Sequence, residues 1–339
     1  MPAALCRIFV FFLALFYSCP AERVKRVVSP HRVHFHYRPD GTVVRHFHRH
    51  KRWPWLVRLQ FDGKPNKRCG ASLISTNLAI TAAHCVRGLK SDKIQARVGD
   101  FNLVRSERNE RAINISEIIV HPEFETKLVR IFGETVQHDL NDLAILVLSD
   151  SIQCHCTSFR CQHHFMHSTI LLPWFNLSAL NTSHKHFPSA TPWQVYRRCM
   201  VSGWGKRTFG GTYPNRLYSA KVQLITPDVC GEPAYYGKMV QKGMICAGDL
   251  NGGWKRDACT GDSGGPLMCV RRRRDGVRQW ELVGVVSWGY RCAVKQRPGI
   301  YTDVSYYQNW ILETLRERPQ LLKQFWTSLK QCHRLIVRQ

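Results

Sequence analysis

The sequence predicts an all-β protein of the barrel or sandwich type. Three observations point there: many short runs of β-type residues alternate with turns, helical periodicity is confined to the C-terminal end, and 339 residues suffice for one two-lobed domain with insertions and a sizeable core.

Residues 1–21 stand apart from that pattern. Ile8 to Tyr17 form a short apolar run after Arg7, and Cys19-Pro20-Ala21 offers small residues for cleavage. The run is too short to span a bilayer and reads as a secretory signal. No later stretch is long and uninterruptedly apolar, so the expectation is a soluble, secreted, extracellular protein without stable membrane insertion. The sequence holds 14 cysteines. With Cys6 and Cys19 lost in the signal, the remaining cysteines form an even set, as a disulfide framework in an oxidising compartment requires. Asn114-Ile115-Ser116, Asn176-Leu177-Ser178 and Asn181-Thr182-Ser183 have the form of glycosylation acceptors, which agrees with the same route.

Residues 22–52 are rich in His and Arg and lack apolar periodicity, so they read as a processing segment or flexible arm. His31, His34, His36, His46, His48 and His50 have no fixed ligand spacing, and exposed basic histidines explain them more simply than a metal site.

Residues 53–316 carry the β pattern. Order begins at Trp53-Pro54-Trp55-Leu56-Val57-Arg58-Leu59, followed by β-type runs from Ala71 to Ile74, Leu78 to Thr81, Ile94 to Val98, Ala112 to Val120 and Leu143 to Leu148. Later runs are Cys199 to Gly203, Ser219 to Leu224, Pro266 to Val270 and Leu282 to Trp288. The stretch 151–192 interrupts the rhythm as a surface insertion. Its Cys154, Cys156, Cys161, His163, His164 and His167 suit zinc in principle, but disulfides fit a secreted chain better. After Asp303 the period becomes helical, through Trp310, Ile311 and Leu315, with Pro319 as a break. Residues 317–339 form a helical extension whose stripe of Leu321, Leu322, Phe325, Trp326 and Leu329 is expected to pack on the domain.

The formal charge of +25 favours encounters with polyanions, which outside a cell means heparin-like sulfated glycans more often than nucleic acid. No nucleic-acid module is recognisable. Arg271 to Arg274 on a predicted hairpin tip and Arg197-Arg198 are the densest basic runs.

Chemistry concentrates in Asp257-Ala258-Cys259-Thr260-Gly261-Asp262-Ser263-Gly264-Gly265-Pro266. A serine between glycines on an exposed turn presents its hydroxyl, and the N–H groups of Gly261 and Ser263 can converge into an oxyanion hole. Such a serine needs a base and a carboxylate. Thr81-Ala82-Ala83-His84-Cys85 and Asp142-Leu143-Ala144-Ile145-Leu146 supply them at the boundaries of β-type runs.

Together with the opening stretch, Val201-Ser202-Gly203-Trp204-Gly205, Ser287-Trp288-Gly289 and Pro298-Gly299-Ile300-Tyr301, these motifs resemble the chymotrypsin-like (trypsin-type) serine protease family from Trp53 to Leu312. The resemblance implies two perpendicular six-stranded β-barrels with a C-terminal helix and an active site in the cleft between the barrels. It implies an endopeptidase acting on proteins or peptides, with His84 as general base, Asp142 as its orienting carboxylate and Ser263 as nucleophile. Asp139 is the competing carboxylate and would sit near the histidine, where it could favour a basic residue before the cleaved one. Asp257 would lie at the base of a specificity pocket with Gly289 and Gly299 on its walls, rewarding Arg or Lys. Arg291 replaces a rim glycine and is expected to narrow the entrance.

The family pattern further pairs Cys69 with Cys85, Cys199 with Cys269, Cys230 with Cys246 and Cys259 with Cys292, leaving Cys332 to join Cys154, Cys156 or Cys161. No cofactor is required. Calcium is an option in the loop from Gly99 to Glu110, with Asp100 and Glu110 as side-chain ligands and carbonyls from Asn102 and Arg105. Asp262 would receive the ammonium of the new N-terminus after zymogen cleavage. The spacing places that terminus at Thr42-Val43-Val44, which lacks a preceding basic residue and a Gly-Gly pair, whereas Arg23-Val24-Lys25-Arg26 before Val27 is a furin-like site. The rival expectation is a catalytically silent or zymogen-like protease-fold protein that binds polyanions, although no triad member is lost.

Overall fold

The two closed barrels combine strands buried on alternate residues with strands buried along their whole length. The computed structural model describes residues 46–47, 53–106, 110–152, 196, 198–272 and 278–337. The first barrel comprises β2 (Leu56–Phe61), β3 (Cys69–Leu73), β4 (Leu78–Thr81), β5 (Ile94–Val98), β6 (Arg111–Val120) and β9 (Ala144–Leu148), closed in the order β2-β3-β4-β9-β6-β5. All neighbouring strands in it are antiparallel. In β5 Ile94, Ala96 and Val98 are buried while Gln95 and Arg97 face outward, so the period of two fixes the register. Every residue of β9 is buried. Closure leaves no unpaired edge around this core.

The second barrel comprises β10 (Cys199–Gly203), β11 (Tyr218–Ile225), β12 (Met244–Gly248), β13 (Pro266–Arg272), β14 (Arg278–Trp288) and β15 (Gly299–Asp303). Its order is β11-β10-β13-β14-β15-β12, and β11 also pairs with β12 to close it. The pairing of β14 with β15 shifts between Val286 and Trp288, making Ser287 the bulged residue. Bulges re-aim a side chain locally, and this one matters to the site.

Folded structure begins before Trp53. β1 (His46–Phe47) pairs with Ser219 and Tyr218 of β11, so the basic segment is not an arm throughout its length. Likewise Ile152 is buried and its N–H donates to Thr76 O at 2.7 Å, so the first barrel's packing extends just into the expected insertion. Cys154, Cys156, Cys161, Asn176 and Asn181 lie outside the described residues.

A second hairpin, β7 (Glu125–Ile131) with β8 (Glu134–Leu140), leads from the first barrel to Asp142 and is absent from the sequence reading. Its turn is Phe132-Gly133, both at positive φ (50° and 84°), a conformation that hairpin turns more often give to Asn-Gly or Asp-Gly. Its strands are largely polar on both faces, so no alternation announces them.

The one-turn helix α1 (Ala83–Val86) follows β4, and α2 (Pro227–Cys230) follows β11. At the C-terminal end α3 (Gln308–Arg316) and α4 (Pro319–Val337) are separate helices. Phe325 of α4 is fully buried in the cluster that includes the first barrel's core, with Leu321, Leu322 and Trp326 packed beside it. Asn77 Nδ2 donates to Gln324 Oε1 at 2.6 Å and Arg318 pairs with Glu117 at 3.0 Å. Packing on the domain is the fate of the apolar stripe. Among the described residues no helix is long and apolar enough to cross a membrane.

Candidate active site

His84 is positioned by its neighbours before its ring makes any contact. It sits in α1, directly after β4, and the adjacent Cys85 is stapled to Cys69 of β3. Asp142, at the junction of β8 and β9, grips it twice: His84 N–H donates to Oδ1 at 2.9 Å, and Nδ1 lies 2.8 Å from Oδ2. Ser287 Oγ, brought in by the bulge of β14, donates to the same Oδ2 at 2.5 Å, and Thr302 Oγ1 of β15 donates to Asp142 O at 2.8 Å. The carboxylate is therefore rooted in one barrel and tied to the other.

Burial pushes the His84 imidazole toward lower pKa, but the charge and hydrogen bond of Asp142, helped by Asp139, outweigh it and the net shift is upward. Burial alone would raise the Asp142 carboxyl. The adjacent His84 charge and the donors from His84 and Ser287 hold it below the usual range instead.

The turn bearing Ser263 is pressed against the turn bearing His84. Gly70 N–H donates to Ser263 O at 2.7 Å. A Cβ on Gly264, which has φ +75°, would collide with Thr81 Oγ1 and come within 3.2 Å of Ala82 N, so only glycine lets the two backbones meet. Gly261 has φ +97°, and among the described residues neither its N–H nor that of Ser263 donates to another backbone carbonyl. Asp262 between them is buried, its Oδ1 accepting from Gly205 N–H at 2.8 Å and its Oδ2 from Cys259 N–H at 3.0 Å. Ser263 is half-buried, and no hydrogen bond joins its hydroxyl to His84 Nε2 among the described residues. In enzymes without substrate such bonds are often long and tighten on binding.

Asp257 is 5 % exposed, with Oδ1 accepting from Ala258 N–H at 2.8 Å and Oδ2 from Ala293 N–H at 3.0 Å. A Cβ on Gly299 would approach Asp257 Oδ1 to 2.8 Å, and one on Gly289 would face Gly299 Cα at 3.8 Å. The two glycines and the buried acid thus share one wall. Arg291 does not project freely over this wall. Its Nε donates to Glu134 Oε2 at 3.2 Å, with a second contact from Nη2 to Oε1, and its guanidinium lies over the Tyr290 and Phe209 rings. The rim arginine is a tie between the second barrel and the β7–β8 hairpin. His138 adds another, with Nε2 2.8 Å from Met239 O and its ring edge-on to Trp288.

A family model for trypsin matches residues 43–311, the span that contains both barrels and every group just described. The chain belongs to the trypsin family of serine proteases. It is 34% identical over 260 residues to rat (Rattus norvegicus) transmembrane protease serine 11G, covering 76% of this chain and 52% of that protein. It is also 34% identical to human (Homo sapiens) transmembrane protease serine 11A, over 76% of this chain and 51% of that protein. Pig (Sus scrofa) trypsin matches at 34% over 248 residues, 73% of this chain and 85% of that protein. The chain thus spans about half the length of the transmembrane relatives it matches.

Two trypsin-family expectations can be set against the geometry. Asp139 sits beside His84 as expected, its Oδ2 3.5 Å from Nδ1, but at 2 % exposure it leaves little surface to a substrate residue, and its oxygens accept from Thr126 Oγ1 and Gln137 Nε2, each at 2.7 Å. The calcium ligand set is also a poor fit. Asp100 Oδ2 accepts from Arg58 Nε at 2.6 Å and Glu110 pairs with Arg97 at 3.4 Å, so guanidinium groups supply the positive charge where a hard cation would need six or more oxygens. Asp100 Oδ1 is buried without a hydrogen-bond partner among the described residues, and residues 107–109 of the loop lie outside them. Asn102 and Arg105 are joined by a turn hydrogen bond, Arg105 N–H to Asn102 O at 3.1 Å.

The four expected disulfides, Cys69–Cys85, Cys199–Cys269, Cys230–Cys246 and Cys259–Cys292, are all present. Cys332 falls in α4, and its three candidate partners lie outside the described residues. Asn114 is exposed on β6, where its Oδ1 accepts from Gln95 Nε2 at 3.0 Å. Ser287 is the functional group the sequence reading passed over. Its Ser-Trp-Gly motif was visible, but its role depends on a bulge that no residue pattern marks.

Proposed function

We propose that the processed protein is a secreted serine endopeptidase that cleaves after Arg or Lys through an acyl-enzyme on Ser263. His84 Nε2 takes the Ser263 proton as the oxygen attacks the scissile carbonyl, while Asp142 holds the Nδ1 proton and stabilises the imidazolium. The N–H groups of Gly261 and Ser263 receive the oxyanion. His84 then returns the proton to the leaving amine, and water repeats the sequence on the acyl ester. One observation carries the reading: Asp142 grips His84 at both ring and main chain.

Asp257 would select the cleaved residue, because a buried carboxylate rewards a guanidinium or ammonium and rejects apolar side chains. Peptides differing only at the cleaved residue test this directly. Arg and Lys peptides should lead, and Asp257→Ser should reduce their kcat/KM by about four orders of magnitude. A parent enzyme that prefers Phe or Leu would overturn the specificity.

Activation would follow cleavage after Arg26, with Val27 as the new terminus and Asp262 as its acceptor. Arg26→Ala should then block both maturation and activity, and an active chain beginning elsewhere would exclude Val27. Heparin-like glycans are a further proposed partner, through Arg271 to Arg274. Arg271 is 3.7 Å from Glu281, so part of that charge is already compensated, and replacing all four arginines by Ser should lower the salt needed for elution from heparin. Equal elution would exclude this run. The catalytically silent alternative has no lost triad member to support it.

A further inference from the structure

His84 Nδ1 has a second carboxylate within reach. Asp139 Oδ2 lies 3.5 Å from it, beyond the 2.8 Å contact to Asp142, and the Asp139 side chain is 1 % exposed. Asp139 is carried on β8 directly opposite Thr126 of β7, so the hairpin itself delivers the acid. Thr126 Oγ1 donates to Oδ1 and Gln137 Nε2 donates to Oδ2, which fixes the carboxylate and supports its ionised form. The neighbouring His138 is turned away onto Met239 O.

We propose that Asp139 is a positioning residue for this site, a second carboxylate that stabilises the imidazolium formed when His84 takes the Ser263 proton. The inference rests on the endopeptidase reading above. Asp142 already accepts the Nδ1 proton, so Asp139 acts through its field and not as the hydrogen-bond acceptor. At so short a separation, with Asp139 buried and the His84 side chain 17 % exposed, a full negative charge is only partly screened. The other groups facing the ring are Lys67, whose charge opposes the imidazolium, and the neutral Cys69–Cys85 disulfide. Ser287 approaches only the far partner, Asp142. Asp139's own carboxyl is pushed up by burial and by Asp142, against the pull of Thr126, His84 and Gln137. Its help therefore fades as the solution is acidified.

The arrangement makes a prediction about protons that does not require turnover. In the Ser263→Ala background, the His84 imidazole followed by NMR should titrate at lower pH once Asp139→Asn is added. Asparagine keeps an acceptor for Gln137 and loses the charge. In the active enzyme, Asp139→Asn should move the acidic limb of kcat/KM to lower pH and reduce the alkaline plateau. The variant-to-parent ratio of kcat/KM should consequently rise as pH falls. Should Asp139→Asn not fold, Asp139→Ser makes the same comparison with a smaller side chain.

An unchanged His84 titration in a folded variant would overturn the proposal. A parent enzyme without peptidase activity but with the expected NMR shift would defeat the endopeptidase reading alone, leaving the electrostatic coupling intact.

Discussion

Ser287 Oγ of the second barrel donates to Asp142 Oδ2 of the first at 2.5 Å, so the carboxylate that grips His84 in one lobe is held by the other. Ser287→Ala removes a hydrogen bond to a charged acceptor, a contact worth roughly 1.5–3 kcal/mol, and kcat/KM should fall about 10- to 100-fold. The loss should appear in kcat with KM little changed, because the deleted hydroxyl is spent on Asp142. Parent-like kcat would show that the His84 contacts alone suffice to hold the acid.

The pH profile follows from the same pair. As the proposed general base His84 would work only when neutral, and its pKa is raised, so activity should decline as pH falls through a value above that of an ordinary histidine. Asp142 is shifted downward, so its contribution to stability is present above its unfolded pKa and is lost as pH falls through the lower folded one. Rate and melting profiles should separate, with activity lost at higher pH than this part of the stability. Coincident loss of both would contradict the assignment.

Glu134→Gln tests the tie across the cleft. The Arg291 and Glu134 side chains are 43% and 41% exposed, so the melting temperature should hardly change. The released Arg291 charge would lie uncompensated beside the pocket rim, and KM for arginyl peptides should rise at low salt while kcat holds. A KM independent of both mutation and salt would mean that Arg291 lies outside the path of the substrate.

Phe325 of α4 is fully buried against the first barrel's core cluster. Phe325→Ala should cost about 3–5 kcal/mol, as large-to-small changes in a packed core do. Denaturant melts will show this as a lower midpoint with an unchanged slope. An unaltered midpoint would mean that α4 contributes no packing energy to the domain.

The legible parts of the protein were those in which local chemistry and fold coincide. The aliphatic run of β9 and the glycines around Ser263 each have one comfortable structural outcome, and the four disulfides fall where the family resemblance placed them. The β7–β8 hairpin was hidden because polar strands and a Phe132-Gly133 turn resemble a loop. Its consequences were hidden with it: the burial of Asp139, the Arg291–Glu134 tie and the seat of His138. Ser287 was concealed for another reason. A bulge changes where a side chain points without changing the residues that precede or follow it.

If Ser263 is the nucleophile of a working acyl-transfer site, active-site titration of the processed protein will count it. A guanidino-substituted nitrophenyl ester should release one equivalent of nitrophenol per enzyme in a burst, with the acyl group found by mass spectrometry on Ser263 and the burst absent in Ser263→Ala. Correctly processed, folded protein that gives no burst, or carries the acyl group on another residue, would contradict the account.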